Sequence, residues 1–518
     1  MSATKLARFM VRSAIEAGVV QWVVSPGSRN APLSLALYQA QKRGLIELFV
    51  RIDERSAAFF ALGLAKSSDS YVGLVCTSGT AVANYHPAVL EAYHANNKLL
   101  VMSADRPEKL RRTGANQTTL HAGLLAPLST IDTSIALPIG EHLDGGPVHV
   151  NLQFEEPLLD EPSSEWLAGI QITEAGHKAS GTTEHAVTPR TLLVIGHDRG
   201  GFSIDEIREK FASTRIPMVA EDPLSFSEAV PHAALFLSDP KIRAHFAPEE
   251  VIVIGRTTLS RSINALIAGA KRTVVIDPRT ESIDTHRSAT EIYTTLPSIM
   301  GEQDNDWVSL WSSLKEFGLS LPDWSEQLAL RAICEQIPND SSLFVSSSRP
   351  IRDIEGFAAP RSGLKTFANR GLAGIDGNIS TALGIAVNSK RTYAVIGDIT
   401  FLHDVSALAS VPEVNLTIFL IDNNGGGIFN TLEQAGSEGF ETVFGTPHNL
   451  NLESVVRGFG VSCEVVHNAI ELNASLAEEV IGLKIILVRV PDRQTNAAGI
   501  KQTTQSLVSA LLTGANLA

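Results

Sequence analysis

The sequence predicts an α/β fold with three doubly wound parallel-sheet domains. Short runs rich in Val, Ile and Leu recur without the alternation of polar residues that is typical of a half-exposed strand. Helical stretches of about 10–15 residues separate these runs, as in parallel sheets that are covered on both faces. Two polar stretches, at residues 155–188 and around 303–325, divide the 518 residues into three parts. Three domains are also what a chain of this length predicts at ~150 residues per domain.

The first part alternates between strands and helices. We predict its strands at residues 19–24, 47–51, 71–76, 99–103 and 147–154. We predict its helices at residues 5–17, 32–43, 53–67 and 79–96. Residues 155–188 are rich in Glu, Ser, Gly and Thr without a clear period, which indicates a surface linker.

The second and third parts repeat the alternation. Strands of the second part are predicted at residues 192–195, 217–220, 251–254 and 273–276. Strands of the third part are predicted at residues 343–345, 364–368, 393–396, 416–421, 462–466 and 484–489. We therefore expect a first domain with a trailing linker at 1–180, a central Rossmann-like domain at 187–320 and a third domain at 325–518.

Composition excludes several classes of protein. A net charge of −14 argues against a general nucleic-acid or membrane-surface binder. No apolar stretch approaches the ~20 residues that span a bilayer. The first 25 residues contain charges and no signal-peptide core, so we expect a cytoplasmic protein. The three cysteines are widely spaced, which predicts neither a disulfide framework nor a zinc site.

Oxygen-bearing residues follow two strands of the third part. One strand ends in Asp398, and another ends before Asn423 and Gly425. Parallel strands bring their carboxyl ends to one edge of the sheet, where α/β proteins bind ligands. A carboxylate, an amide oxygen and a backbone carbonyl suit Mg²⁺, and the glycines allow a diphosphate to approach the backbone. Taken alone, the same residues also fit an ordinary turn and a flexible loop.

Polar and glycine-rich loops occur at other strand ends. Residues 369–378 are rich in glycine and precede a helix, which suits an anion, although Asp376 could simply cap that helix. In the first part, four successive strands end in loops that contain small, polar or arginine residues. Glu54, at the start of a helix, would also be explained by the helix dipole. Four such loops on one sheet edge nevertheless indicate the rim of an active site.

Eight sequence strings, in this order, resemble the 2-succinyl-5-enolpyruvyl-6-hydroxy-3-cyclohexene-1-carboxylate synthase family of thiamine-diphosphate-dependent enzymes. The strings are SPGSRNAPL, DERSAAFFALGLA, TSGTAVANYHPAVLEA, SADRPEKLRRTGANQT, SSSRPIRD, NRGLAGIDGNISTALG, GDITFLHD and DNNGGGIF. One departure is the run Ser346-Ser347-Ser348, where the family commonly has Gly-Asn-Ser. The resemblance covers nearly the whole chain, and it implies pyrimidine-binding, central and diphosphate-binding domains.

The resemblance also implies a cofactor, thiamine diphosphate, held with Mg²⁺ or Mn²⁺. Glu54 resembles the catalytic glutamate that hydrogen-bonds the aminopyrimidine ring. Asp398, Asn423 and the carbonyl of Gly425 resemble the metal ligands. Ile375 would support the bent cofactor.

Further residues resemble the family's substrate contacts. They are Ser28, Arg29, Arg106, Asn116, Gln117, Ser348, Arg352, Arg370, Ile428, Phe429 and Leu432. The arginines could bind carboxylates in a bidentate manner. Arg261 falls where some relatives carry two basic residues, and its role stays open. We interpret Arg111, Arg112 and Arg349 as solvated arginines without a role in the site.

The implied reaction is the decarboxylation of 2-oxoglutarate and the conjugate addition of the succinyl carbanion to isochorismate, in menaquinone biosynthesis. The resemblance further implies a homodimer or a dimer of dimers with active sites shared between chains. Two alternatives stay open. One is another thiamine-diphosphate-dependent 2-oxoacid decarboxylase or carboligase, and the other is a non-catalytic binding protein with the same fold.

Overall fold

The computed structural model describes residues 1–160, 165–173, 183–279, 284 and 287–514. Residues 161–164 and 174–182 of the linker predicted at 155–188 lie outside these residues. In the part of the chain that the structure describes, no helix is long and apolar enough to cross a membrane. Cys76, Cys334 and Cys463 are buried and free, as expected from their spacing.

Residues 21–153 contain a six-stranded sheet. Its strands are β1 (Gln21–Val24), β2 (Glu47–Val50), β3 (Val72–Cys76), β4 (Leu99–Asp105), β5 (Thr130–Thr133) and β6 (Val148–Gln153). Their order is β2-β1-β3-β4-β6-β5, and all neighbouring strands are parallel. The predicted strands are confirmed, and β5 is an addition.

Four helices accompany this sheet: α1 (Ala3–Glu16), α2 (Ala31–Lys42), α3 (Glu54–Ser68) and α4 (Thr80–Ala95). The side chain of Asp53 caps α3 by accepting hydrogen bonds from the N–H groups of Arg55 and Ser56. This cap fixes Glu54 in the first turn. Every residue from 56 to 65 is buried, so α3 is an internal helix.

The central part contains a second parallel sheet, in the order β12-β11-β10-β8-β9. A separate parallel pair joins β7 to β13. The strands are β7 (Glu184–Ala186), β8 (Thr191–Ile195), β9 (Met218–Ala220), β10 (Glu250–Ile254), β11 (Arg272–Ile276), β12 (Glu291–Tyr293) and β13 (Ser298–Met300). The helices are α5 (Ile204–Phe211), α6 (Ala233–Phe236), α7 (Pro240–His245), α8 (Arg261–Ala268) and α9 (Asn305–Ser313).

The last part contains a third sheet, in the order β15-β14-β16-β17-β19-β18. Its strands are β14 (Ser341–Val345), β15 (Leu364–Phe367), β16 (Thr392–Gly397), β17 (Leu416–Asp422), β18 (Ser462–Val466) and β19 (Leu483–Arg489). The β14–β15 and β18–β19 pairs are parallel. The helices are α10 (Glu326–Gln336), α11 (Arg349–Phe357), α12 (Asn378–Val387), α13 (Asp398–His403), α14 (Leu452–Gly458), α15 (Ala469–Leu476) and α16 (Arg493–Gly514).

The α/β class with parallel sheets is therefore confirmed. By compactness, however, the chain divides into two units. Unit 1 comprises Met1–Lys178, Gly371–Thr392 and Phe401–Leu416, and unit 2 comprises Ala179–Arg370, Tyr393–Thr400 and Thr417–Ala518. The three-domain boundaries at 1–180, 187–320 and 325–518 stay a prediction.

Within unit 1, α12 packs closely against α3. A Cβ atom at Gly63 would lie 2.2 Å from the carbonyl oxygen of Thr381. A Cβ atom at Gly384 would lie 2.2 Å from the carbonyl oxygen of Phe60. The absence of side chains at these two glycines lets the helix backbones approach each other.

Candidate active site

In unit 2, Asp398 and Asn423 follow the carboxyl ends of β16 and β17, which are neighbouring strands. Both are buried. The Asn423 amide nitrogen donates to the buried Glu326 carboxylate at 3.1 Å, which leaves Asn423 Oδ1 buried and without a hydrogen-bond donor in the described chain. Burial raises the pKa of Glu326. An oriented, unsatisfied oxygen of this kind is suited to a metal ion.

The glycine-rich loop after β17 lies beside Asp398. We call Asp398, Asn423 and Gly425 together the metal corner. The N–H of Gly425 donates to Asp398 Oδ2 at 2.8 Å, so the loop and the carboxylate contact each other directly. Gly425 has a φ of 139°, and a Cβ atom there would lie 2.3 Å from the carbonyl oxygen of Gly445. Its own carbonyl accepts the N–H of Gly427 at 2.9 Å and keeps a second lone pair. The structure thus brings Asp398, Asn423 and Gly425 together as predicted.

Two further residues at this corner were not predicted from the sequence. Asp422 and His448 have side-chain atoms that lie, with one from Asp398, within 4.8 Å of one another. The N–H of Leu450 donates to His448 Nδ1 at 3.1 Å, which leaves Nε2 to donate to Asp398 Oδ2 at 3.3 Å. Asp422 is paired with Arg489 at 2.9 Å. His448 is 50 residues from Asp398 along the chain, and nothing in its local sequence indicates this contact.

Arg352 and Arg370 form a second group in unit 2. Arg370 is 3% exposed and contacts Glu221 at 2.5 Å. Arg352 donates to the carbonyl of Ser348 at 2.7 Å. Burial and then the charge of Arg370 lower the pKa of Arg352. The two guanidinium groups therefore lie close enough to repel each other.

A buried acid lies beside these arginines. Burial, followed by the charge of Glu221, raises the pKa of Glu355 to about 8. The hydroxyl of Thr258 is its hydrogen-bonding partner. The raised pKa favours the neutral form of Glu355, in which Glu221 is the single anion among these four residues.

The other predicted residues of unit 2 lie around these groups. Ser348 has a φ of 75° and immediately precedes α11. Ile428 and Phe429 lie in a 3₁₀ turn, Gly427–Thr431, and Leu432 follows it. All three are partly exposed. Phe429 packs against Phe444 with ring centroids 5.5 Å apart, so the loop has an apolar face.

In unit 1, Glu54 occupies the first turn of α3, directly after β2. Its carboxylate accepts no hydrogen bond from any residue that the structure describes. Glu54 lies close enough to the end of β3 to affect Cys76. Burial, and then the charge of Glu54, raise the pKa of the Cys76 thiol. Glu54 is thus a half-buried carboxylate that is free to contact a ligand.

Arg29 and Arg106 form a pair of cations in unit 1. Arg106 donates to the hydroxyl of Ser78 and to the carbonyl of Gln117, both at 2.7 Å. Burial and then the charge of Arg29 lower the pKa of Arg106. Arg29 contacts Glu156 at 3.1 Å, but that carboxylate is 73% exposed.

The remaining predicted residues of unit 1 lie in loops. Ser28, Asn116 and Gln117 are exposed. Ile375 is half-buried in the glycine-rich loop before α12. That loop is fixed by Glu91, whose carboxylate accepts the N–H groups of Gly371 and Leu372, each at 2.7 Å. Glu91 lies within a helix, and nothing in its local sequence predicts this contact.

Two interpretations of arginines were wrong. Arg111 is not solvated, because it forms ion pairs with Asp105 at 2.8 Å and with Asp132 at 2.6 Å. Arg349 is also largely buried and pairs with Asp353 on α11. These partners stabilise the fold around the site. Arg112 is exposed, as expected.

Two family models match the chain. Residues 4–124 match the model described as "Thiamine pyrophosphate enzyme, N-terminal TPP binding domain". Residues 355–490 match "Thiamine pyrophosphate enzyme, C-terminal TPP binding domain". The first match contains Glu54, and the second contains Asp398 and Asn423.

Three similar curated relatives share one name, 2-succinyl-5-enolpyruvyl-6-hydroxy-3-cyclohexene-1-carboxylate synthase. The protein from Nocardioides sp. is 38% identical, with 94% of each chain covered. Those from Renibacterium salmoninarum and Thermobifida fusca are 37% and 34% identical, with 98% of this chain and 97% and 99% of theirs covered.

Among solved structures, benzoylformate decarboxylase from Polynucleobacter necessarius has the same fold, with a TM-score of 0.66 at 13% identity over 94% of this chain and 98% of that one. At that identity, the likeness concerns the fold alone. The identity to the curated synthases is much higher and extends over nearly the whole chain, so it shows the family as well as the fold. The chain belongs to the 2-succinyl-5-enolpyruvyl-6-hydroxy-3-cyclohexene-1-carboxylate synthase family of thiamine-diphosphate-dependent enzymes.

Proposed function

We propose that this enzyme transfers the succinyl group of 2-oxoglutarate to isochorismate, with release of CO₂, in the cytoplasmic biosynthesis of menaquinone. The observation that carries the proposal is the presence of two arginine pairs, one in each unit. In each pair, the charge of one guanidinium group lowers the pKa of the other. Like charges held together in a chain of net charge −14 are suited to bind anions. Both proposed substrates are dicarboxylates.

The residues present fit thiamine diphosphate and a divalent metal. Asn423 Oδ1 is buried and unsatisfied, and Asp398 lies beside the glycine backbone, where a diphosphate could approach. Asp398, Asn423 and the Gly425 carbonyl would hold Mg²⁺ or Mn²⁺ as oxygen ligands. His448 would orient Asp398 by donating to the oxygen that Gly425 also contacts. When bound, the cofactor supplies the carbanion chemistry that decarboxylation and carbon–carbon bond formation need.

The chain's own residues contribute proton placement and charge. The Glu54 carboxylate would hold a proton at N1′ of the aminopyrimidine, since it has no competing donor within the described residues. Arg29 and Arg106 would bind carboxylates of isochorismate, and Arg352 and Arg370 would bind those of 2-oxoglutarate. Glu221 fixes Arg370 and offsets part of its charge. Ile428, Phe429 and Leu432 would exclude water from the reacting carbon atoms.

We further infer a homodimer or a dimer of dimers in which Glu54 of one chain serves the metal corner of another. Support comes from membership of the family. Restored activity in mixed dimers of Glu54→Gln and Asp398→Ala chains would test this inference.

The decisive experiment follows the loss of isochorismate when the protein is mixed with thiamine diphosphate, Mg²⁺ and 2-oxoglutarate. We expect loss of isochorismate to match CO₂ release one to one. Omitting 2-oxoglutarate, or replacing it with pyruvate or benzoylformate, should abolish the reaction. Protein that binds the cofactor but consumes no isochorismate would overturn the proposal. Equal turnover of pyruvate would instead indicate a general carboligase.

A further inference from the structure

A cavity of about 340 Å³ lies within unit 2, and none of its lining residues belongs to the candidate active site. Its walls come from α5, from the turn that leads into β9, and from α9. A volume of this size lies at the lower end of the range for small-molecule sites. Neither substrate of the proposed reaction accounts for it.

The inner wall is apolar and closely packed. Phe211, Met218 and Trp311 line it and are buried. The Trp311 ring packs edge-on against Trp307 and Phe246, with centroids 5.7 and 5.3 Å away. The indole N–H of Trp311 is buried without an acceptor in the part of the chain described.

The outer wall carries an excess of cations. Arg208, Arg215 and Lys315 line it, against the single carboxylate of Glu228. Arg215 and Lys315 are exposed, and each contacts a neutral oxygen: Arg215 donates to the side chain of Asn305 at 3.0 Å, and Lys315 donates to the backbone carbonyl of Glu228 at 2.8 Å.

Ion pairing offsets part of this positive charge. Arg208 donates to the carbonyl of Ser225 at 2.6 Å and lies 3.9 Å from Glu228 and 4.0 Å from Asp205. Both separations are longer than that of a well-formed charged hydrogen bond. An apolar pocket with a cationic mouth, in a chain of net charge −14, suits a ligand that joins an apolar body to an anionic group.

We propose that this cavity binds a small monocarboxylate with a hydrocarbon body. The hydrocarbon body lies against Phe211 and Trp311, and the carboxylate lies among Arg208, Arg215 and Lys315. Burial of the apolar body supplies most of the affinity, and the cations select against neutral molecules. This proposal does not depend on the proposed function, because the cavity shares no residue with the candidate active site.

Calorimetric titration of the full-length protein with octanoate tests the proposal, with octanol and acetate as probes that lack the charge or the apolar body. Octanoate should bind saturably and at least ten-fold more tightly than either. The double variant Arg215→Gln/Lys315→Gln should lose about ten-fold or more in octanoate affinity, which corresponds to one charged hydrogen bond. Lys210→Gln on α5 is the matched control, because Lys210 is exposed and does not line the cavity.

Thiamine diphosphate affinity should stay unchanged in all these variants, which shows that they are folded. Val308→Phe offers a second route, because it fills the cavity without altering charge and should also weaken octanoate binding. Equal affinity for octanoate and octanol would overturn the electrostatic part of the proposal. Undiminished binding by both the double variant and Val308→Phe would place octanoate elsewhere and overturn the site itself.

Discussion

At the scale of single residues, hydrogen bonds and ion pairs distinguish the charged side chains that stabilise the fold from those that are available to a ligand. Arg111 and Arg349 are held by aspartates, whereas Glu54 accepts no hydrogen bond from the described chain. Sequence reasoning identified Glu54 because it lies in a local motif. It misjudged Arg111 because the partner Asp132 is 21 residues away on a strand without an apolar signature.

Glu54→Gln should preserve folding and most cofactor binding but lose about 10²–10⁴-fold in turnover, because the neutral amide cannot stabilise a proton at N1′. Single-turnover kinetics, beside calorimetric titration of thiamine diphosphate, would measure both effects. Glu47→Gln, at the start of β2, is a suitable control because Glu47 is exposed. Near-normal turnover in Glu54→Gln would remove Glu54 from its proposed role.

The metal corner allows a graded test. Asp398→Ala should remove a ligand and abolish tight Mn²⁺ binding in the presence of thiamine diphosphate. His448→Ala should weaken Mn²⁺ binding about 10–100-fold, because a residue that orients a ligand contributes at that level. Electron paramagnetic resonance of free Mn²⁺ gives both affinities. His467→Ala, at an exposed histidine of the same unit, should have no effect. Unchanged affinity in His448→Ala would show that His448 does not position Asp398.

Arg106→Ala should raise the KM for isochorismate about ten- to a hundred-fold, the cost of one charged hydrogen bond. CO₂ release from 2-oxoglutarate alone should change much less, because Arg352 and Arg370 would bind that substrate. Arg106→Lys should recover only part of the loss, since an ammonium group cannot make a bidentate contact. If both half-reactions fail equally in Arg106→Ala, Arg106 serves the first substrate or the fold.

At the scale of elements, the sequence predicts strands well where they are buried on both faces. The strands β1, β3 and β4 are fully buried and consist mostly of apolar residues, without the alternation of a half-exposed strand, so they are readily predicted. The strand β5, with the sequence TIDT, lies at the sheet edge and has no such pattern. The approach of α12 to α3 joins segments more than 300 residues apart, and helical periodicity alone does not reveal it.

Gly384→Ala should destabilise that helix contact by about 1–3 kcal/mol, because the added methyl group would meet the backbone oxygen of Phe60 at 2.2 Å. A lower midpoint of thermal unfolding is the expected readout. Gly458→Ala in α14 is the matched control, since no atom lies within 4 Å of a Cβ there. That control should be neutral or slightly stabilising. A Gly384→Ala protein as stable as the wild type would mean that α3 and α12 can move apart without cost.

At the scale of the whole molecule, shared active sites predict complementation between two inactive variants. Glu54→Gln and Asp398→Ala would each be inactive alone. After joint unfolding and refolding, a mixed dimer would combine Glu54 of one chain with Asp398 of the other at one of its two sites. Random pairing should restore about a quarter of wild-type activity. Activity that stays at zero, while mass spectrometry detects mixed dimers, would place each site within one chain.

The division into units was the part of the fold that sequence reasoning could not supply. Residues 371–392 and 401–416 lie in the predicted third domain, yet they belong with the first 178 residues by compactness. Linker composition marks where a chain is irregular, whereas compactness depends on contacts between distant segments. The alternation of strands and helices nevertheless predicted that the residues after β16 and β17 lie close together, and Gly425 donates a hydrogen bond to Asp398.

The passage of the chain between the two units affects how its gene can be cut and recombined. Asp398 lies in an eight-residue stretch, Tyr393–Thr400, whose flanking segments along the chain both belong to unit 1. No single cut yields either unit alone. A single crossover between two related genes would therefore always build at least one unit from two parents. Hybrids of two related genes should thus keep their function only when the parents already share the contacts within each unit.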